Sequence, residues 1–257
     1  MYFVAKPNEE AKSFIQAAGL TDETQMKAIG TLVFDLKNYN LWDKMKVIYP
    51  MVGQAGVSSS FQFNLKNPAT FKGTFNGGWN FHPTGAAGNG TTGYMNTGFN
   101  AFNDSDIQSN YMSVSAYTNS DLPGAQVKII GAYDGTRETG IVPRVGNVLQ
   151  TQINDSVFSG IDASNGASQG FYIANKNNTG NQIGYKNGVR LLNSPNLSTG
   201  KTNLSLFVGA RNINGSADQF NTYNVQFIHI GLGLTDTEAT NLYTAVQRFQ
   251  TTLGRQV

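Results

Sequence analysis

Cysteine is absent from the 257 residues. That removes disulfides, thiolate zinc sites and cysteine nucleophiles together. Charge is scarce too: Asp, Glu, Lys and Arg make up 13% of the chain, 18 basic against 16 acidic. A disordered chain would carry more charge and fewer aromatics than the 11% found here. No Lys/Arg run is present, so the electrostatic footprint of a nucleic-acid binder is missing. No apolar stretch approaches the roughly 18 residues of a membrane helix. The first residues lack a basic segment followed by an apolar one, so a Sec-type leader is not expected. Neither nucleic acid nor membrane is an expected partner. Only two histidines occur, His82 and His229, far apart in sequence. With no Cys beside them, a transition-metal site is not expected, and no cofactor is assigned.

What is abundant is glycine, 29 residues, with asparagine about as common. Both favour turns, and the chain divides into three zones. Residues 1–54 read as helical. Asn8 is placed to cap a first helix, with Glu9 and Glu10 in its first turn and Gly19 as its stop. Thr21 is placed to cap a second, in which Met26, Ile29, Leu32, Val33 and Leu36 form one apolar stripe. A helical continuation is expected through Leu41, Trp42, Met45 and Ile48, ending before Pro50.

Residues 55–233 change character. Short β-rich runs recur between turn signals: Phe61–Phe63, Thr70–Phe75, Tyr111–Thr118, Gln126–Tyr133, Phe171–Ala174 and Leu204–Gly209. In the third of these, Tyr111, Ser113, Ser115 and Tyr117 alternate with Met112, Val114 and Ala116, which predicts one polar and one apolar face. Asn187-Gly188 between β-formers predicts a hairpin with a type I′ turn, because both central residues need positive φ. Residues 234–257 open with Thr235-Asp236-Thr237-Glu238, a capping box, and continue as one apolar helical face. The expected fold class is all-β: an antiparallel jelly-roll sandwich with N-terminal helices and a C-terminal helix packed on it.

Catalytic chemistry is thinly represented. Glu138 is the only Glu between residues 55 and 233. Glycoside hydrolysis usually needs two carboxylates roughly 5–9.5 Å apart, and the only closely spaced pair is Asp104 and Asp106, in a loop-like stretch. No catalytic residue is assigned, and the chain is expected not to be an enzyme. Asn103, Asp104 and Asp106 suit a Ca²⁺ site or an ordinary Asx turn, and the turn is favoured. Gly88-Asn89-Gly90-Thr91-Thr92-Gly93 matches G-x-G-x-x-G, but no helix follows it, so it is read as a turn-rich loop. Trp79, Phe81, Tyr94, Phe99 and Phe102 cluster in a Gly/Asn-rich region. Aromatic faces beside amides and carboxylates bind sugars, while the same rings also fill cores. The ligand-binding candidates are Trp79, His82, Tyr94, Asn103, Asp104 and Asp106. His229, inside an apolar strand pattern, is read as structural.

The run from Asn187 to Thr252 resembles the concanavalin A-like jelly roll in its laminin-G-type form: the Asn-Gly hairpin, Leu206-Phe207-Val208-Gly209-Ala210, the late strand Phe227-Ile228-His229-Ile230-Gly231, then a short helix. The whole chain resembles a family of bacteriophage virion structural proteins. Leu65-Lys66-Asn67-Pro68, Phe75-Asn76-Gly77-Gly78-Trp79, Asn89-Gly90-Thr91-Thr92-Gly93-Tyr94 and the tail from Leu234 to Val257 carry that resemblance. It implies a non-enzymatic virion component, a head or tail decoration or fibre part located on the virion. The partners it implies are other virion proteins and host surface polysaccharide, and it implies a homo-oligomer. A lectin-like carbohydrate-binding module is the alternative, and a polysaccharide-degrading enzyme a more distant one.

Overall fold

The computed structural model describes residues 8–122, 124, 126–155 and 163–257. Two helices come first, α1 (Glu9–Ala18) and α2 (Glu23–Asn38), then a 3₁₀ turn at Trp42–Lys44 and β1 (Met45–Tyr49). A one-turn helix α3 (Ser58–Phe61) precedes β2 (Thr74–Asn76), β3 (Trp79–His82), β4 (Gly85–Gly88), β5 (Tyr94–Asn100) and β6 (Tyr111–Thr118). Next are β7 (Ile130–Tyr133), β8 (Glu138–Val145), β9 (Val148–Asp155), β10 (Ala163–Ser164), β11 (Gly170–Asn177), β12 (Asn181–Lys186) and β13 (Val189–Pro195). The chain closes with β14 (Ser205–Val208), β15 (Arg211–Ile213), β16 (Ser216–Asp218), β17 (Asn224–Gly231) and α4 (Asp236–Thr252).

The strands form two sheets. The first runs β13-β12-β11-β6-β17-β4-β3, with β1 also paired to β17. The second runs β10-β9-β8-β7-β14-β5-β2, with β15 and β16 joined at β7. All pairings are antiparallel except β15 with β7. One apolar core lies between the sheets, built from Val114, Ala116, Tyr172, Ala174, Ile228 and Ile230 of the first and Ile130, Ile141, Ile153 and Val208 of the second. A second core lies on the far side of the first sheet, where Tyr117, Phe171, Ile173 and Phe227 meet Leu32, Leu36, Leu242, Val246 and Phe249 of the helices. The expected all-β jelly-roll sandwich with helices at both ends of the chain is therefore what forms.

The local signals mostly decide the ends of elements. Asn8 Oδ1 accepts from the Ala11 N–H at 3.0 Å, and Gly19 closes α1 in the left-handed region. The Thr235 box is complete, with Thr235 N–H donating to Glu238 Oε2 and Glu238 N–H to Thr235 Oγ1. Asn187 (φ 49°) and Gly188 (φ 77°) supply the two positive φ values of the β12–β13 hairpin. The loop 88–93 is a turn with no helix after it.

Several expectations fail. The cap of α2 is Asp22, not Thr21: its Oδ1 accepts from the Gln25 N–H at 2.8 Å. Residues 45–49 are a strand, because pairing with β17 outweighs the apolar spacing that read as helix. Ser58–Phe61 is helical where Phe61–Phe63 read as a strand, and Thr70–Phe75 and Gln126–Tyr133 shorten to β2 and β7. The alternation expected of β6 holds, with Met112, Val114 and Ala116 in the core between the sheets and the polar face turned the other way. Ser113, Ser115 and Tyr117 are fully buried, and each finds a partner: Leu232 O, His229 Nδ1, and Gln247 Oε1 with Val257 O.

Candidate functional site

The sequence candidates separate into two places. At one, β3 is the last strand of the first sheet and pairs Trp79 with Gly88 and Asn80 with Ala87. Beside it opens a cleft of about 380 Å³ lined by Gly78, Trp79, Asn80, Ala87, Gly88 and Asn89. Glycines make this cleft. A side chain at Gly93 would strike Gly78 O, and one at Gly209 (φ 81°) would press on the Trp79 ring at 3.0 Å.

Trp79 is half-buried. Its ring packs edge-on against Phe75 at 5.0 Å and lies near-parallel to Phe81 at 6.3 Å. Its Nε1–H donates to Asn76 O at 3.1 Å, so the indole has no donor left to offer and acts as an apolar surface. Asn89 holds the rim: its Oδ1 accepts from the N–H groups of Thr91, Thr92 and Gly93, and its Nδ2 donates to Thr92 Oγ1. Asn80 is exposed and its amide has no hydrogen-bond partner among the described residues. His82 is exposed and shares a face of β3 with Asn80, since alternate residues of a strand point the same way. Tyr94 opens β5, opposite Asn76 of β2, and stacks on Phe207 at 4.5 Å. Its ring is thereby half-buried against a neighbouring strand and is absent from the cleft lining.

Asn103, Asp104 and Asp106 lie elsewhere, beyond the other end of β5. Asp104 Oδ1 accepts from the N–H groups of Asp106 and Ile107, an Asx turn. Lys46 of β1 bonds Asp106 and approaches Asp104 Oδ1 at 3.4 Å, while Lys201 donates to Asp104 O and Ile107 O. The Lys46 hydrogen bond holds the Asp106 carboxyl below its ordinary range. Two ammonium groups thus engage one oxygen of each carboxylate and two backbone carbonyls of the loop. No cluster of three or more Asp, Glu or His side chains suited to a metal occurs among the described residues.

Two polar sites escaped the sequence. One is a cleft of about 410 Å³ lined by Glu10, Lys37, Asn40, Trp42 and Asp43. Lys66 lies over the Trp42 ring at 4.6 Å and Lys37 at 5.7 Å, and Lys37 Nζ bonds Glu10 Oε1. That bond lowers the Glu10 pKa. These residues span two helices and a loop, so no spacing joins them. The other is on the second sheet, where Arg211 bridges Glu138 and Asp218 and buried Lys128 lies 3.3 Å from Glu138. Gly131 and Gly140 leave room for the Lys128 stem. Both carboxylates here are already paired, and the Trp79 cleft has none in its lining.

No family model matches the sequence, and no curated protein matches it. Solved structures of similar fold do. A botulinum neurotoxin type C structure, described by cell entry dependent on two ganglioside molecules, superposes at TM-score 0.56 with 16% identity, over 81% of this chain and 52% of that one. The binding domain of botulinum neurotoxin DC, solved with rat synaptotagmin II, gives 0.54 and 14%, over 80% and 52%. A Trypanosoma rangeli sialidase mutant displaying trans-sialidase activity gives 0.55 and 13%, over 87% and 39%. The chain spans about half of the toxin chains and less of the sialidase. At these identities the likeness is one of fold, the two-sheet β-sandwich. Among the described residues no helix is long and apolar enough to cross a membrane.

Proposed function

We propose that the protein is a carbohydrate-binding β-sandwich module that holds a glycan in the Trp79 cleft without cleaving it. The carrying observation is that one glycine-lined cleft at the edge of the sheet is lined by both Trp79, whose indole N–H is already bonded, and Asn80, whose exposed amide has no partner among the described residues. A pyranose presents an apolar C–H face and a rim of hydroxyls, and this arrangement offers one surface for each. The cleft lining has no carboxylate, which supports binding over hydrolysis. Structural neighbours whose descriptions name gangliosides and sialidase activity support the substrate class. Location on a virion, in symmetric copies among other virion proteins, belongs to the same proposal and rests on the sequence resemblance alone. Mass spectrometry of purified particles tests it.

The glycan reading is tested by a glycan array followed by calorimetric titration of the best ligand. Asn80→Ala, a surface change, and Trp79→Ala should each weaken binding at least about tenfold, roughly 1.4 kcal/mol. Circular dichroism should show the fold retained. A flat array for the unmodified protein sinks the proposal, and unchanged affinity in both variants moves the site elsewhere.

A further inference from the structure

Lys176 of β11 and Asp155 of β9 face each other between the two sheets. Lys176 Nζ lies 2.7 Å from Asp155 Oδ1, and the side chains are 1% and 0% exposed. Nζ also lies 2.5 Å from Ser198 Oγ, which in turn donates to Ile153 O. The second carboxylate oxygen, Asp155 Oδ2, is buried with no hydrogen-bond partner among the described residues. An ion pair with one orphaned oxygen is an expensive thing to bury: desolvation of both charges competes with their attraction, and an unmade hydrogen bond is added to the cost.

We infer that Lys176 and Asp155 condense into an intramolecular amide that joins the two sheets covalently. The site supplies what the reaction needs. In water such a pair does not condense, because the amine is protonated, the acid is ionised, and solvent favours hydrolysis. Here both side chains are shut off from bulk water, and Nζ at 2.7 Å from Oδ1 is held next to the carboxyl group, so only a rotation of the carboxyl plane separates contact from attack on Cγ. Burial lowers the Lys176 pKa and raises that of Asp155, so both groups move toward their neutral, reactive forms.

The step balances without any oxidant or further reagent. A proton passes from Nζ to the carboxylate, giving a neutral amine and acid. The nitrogen lone pair forms the Nζ–Cγ bond, one Cγ–O bond breaks, and that oxygen leaves with the acid proton and one amine proton as water. One proton stays on the amide nitrogen, where Ser198 Oγ is placed to accept it. Ser198 is thus a positioning residue. The product carries no charge and one oxygen fewer, which removes the cost of burying two charges.

The test is the mass of the full chain, denatured and intact. The expected value is the sequence mass less one water. Peptide mapping should place the deficit on a branched peptide containing Lys176 and Asp155. Lys176→Arg and Asp155→Ala should restore the full mass, and Lys176→Arg should unfold at lower temperature. Asp155→Asn should reach the same linked product by losing ammonia. A wild-type mass equal to that of the unlinked sequence overturns the inference, as does a water deficit carried by a linear peptide.

Discussion

His229 shows what burial does to one side chain. It lies on β17, fully buried, with Nδ1 3.3 Å from Ser115 Oγ and Nε2 without a partner among the described residues. Burial alone pushes its pKa down to about 3. A neutral imidazole in the fold and an ordinary one in the unfolded chain, near 6.5, differ in bound protons between those two values. The unfolded state binds more protons in that window, so stability rises with pH across it. The stabilisation is complete above about pH 6.5 and is lost progressively as the pH falls toward 3. His229→Asn keeps a donor near Ser115 but does not titrate. Its thermal midpoint should therefore fall less steeply than that of the parent between pH 7 and pH 4, measured by calorimetry at matched ionic strength. Parallel curves would show that His229 stays uncharged in both states or charged in both.

At the scale of elements, the segment after α4 acts as a latch. Beyond the end of β1, Met51 adopts φ 46° while fully buried, in the left-handed region that a Met rarely occupies. The carbonyls of Pro50 and Met51 both turn to Arg255, which is itself buried. The same guanidinium donates to Pro83 O, Gln226 O and Gln250 Oε1, so one side chain ties β1, the β3–β4 turn, β17 and α4. Lysine has no planar fork and fewer donors. Arg255→Lys should cost roughly 3–5 kcal/mol, from buried carbonyls left unbonded, read as a lower urea midpoint at unchanged slope.

This latch also marks the limit of sequence reading. Arg255 was visible only as a residue of the tail, because its acceptors lie as far as 205 residues away. What was legible was local: the Asn8 and Thr235 caps, the Asn187-Gly188 turn, the alternation of β6. The strand β1 was misread because its partner β17 is remote. The candidate site divided for the same reason. Trp79 and His82 share β3, but the lysines that bond the Asp106 carboxylate and the Asp104 carbonyl come from 60 and 97 residues away, and no spacing rule reaches that far.

For the molecule as a whole, the first sheet is the shared wall of two cores. On β11, Phe171 and Ile173 face the helices, while Tyr172 and Ala174 face the second sheet. Removing either neighbour would strand one apolar face of the same strands in water, at about 25 cal/mol per Å² exposed. The helix layer, the first sheet and the second sheet should therefore melt as one unit. The protein carries a reporter for each core. Trp42, 8% exposed, belongs to the helix-side core, and Trp79 packs against the inter-sheet core. In urea, the Trp42→Phe and Trp79→Phe variants each leave one indole to follow. After correction for the stability change of each substitution, their fluorescence midpoints should coincide with each other and with circular dichroism, the mark of a two-state transition. An earlier transition seen only by Trp42 would mean that the helices leave first and that the first sheet tolerates a bare face, contrary to the burial of Ser113, Ser115 and Tyr117 beneath them.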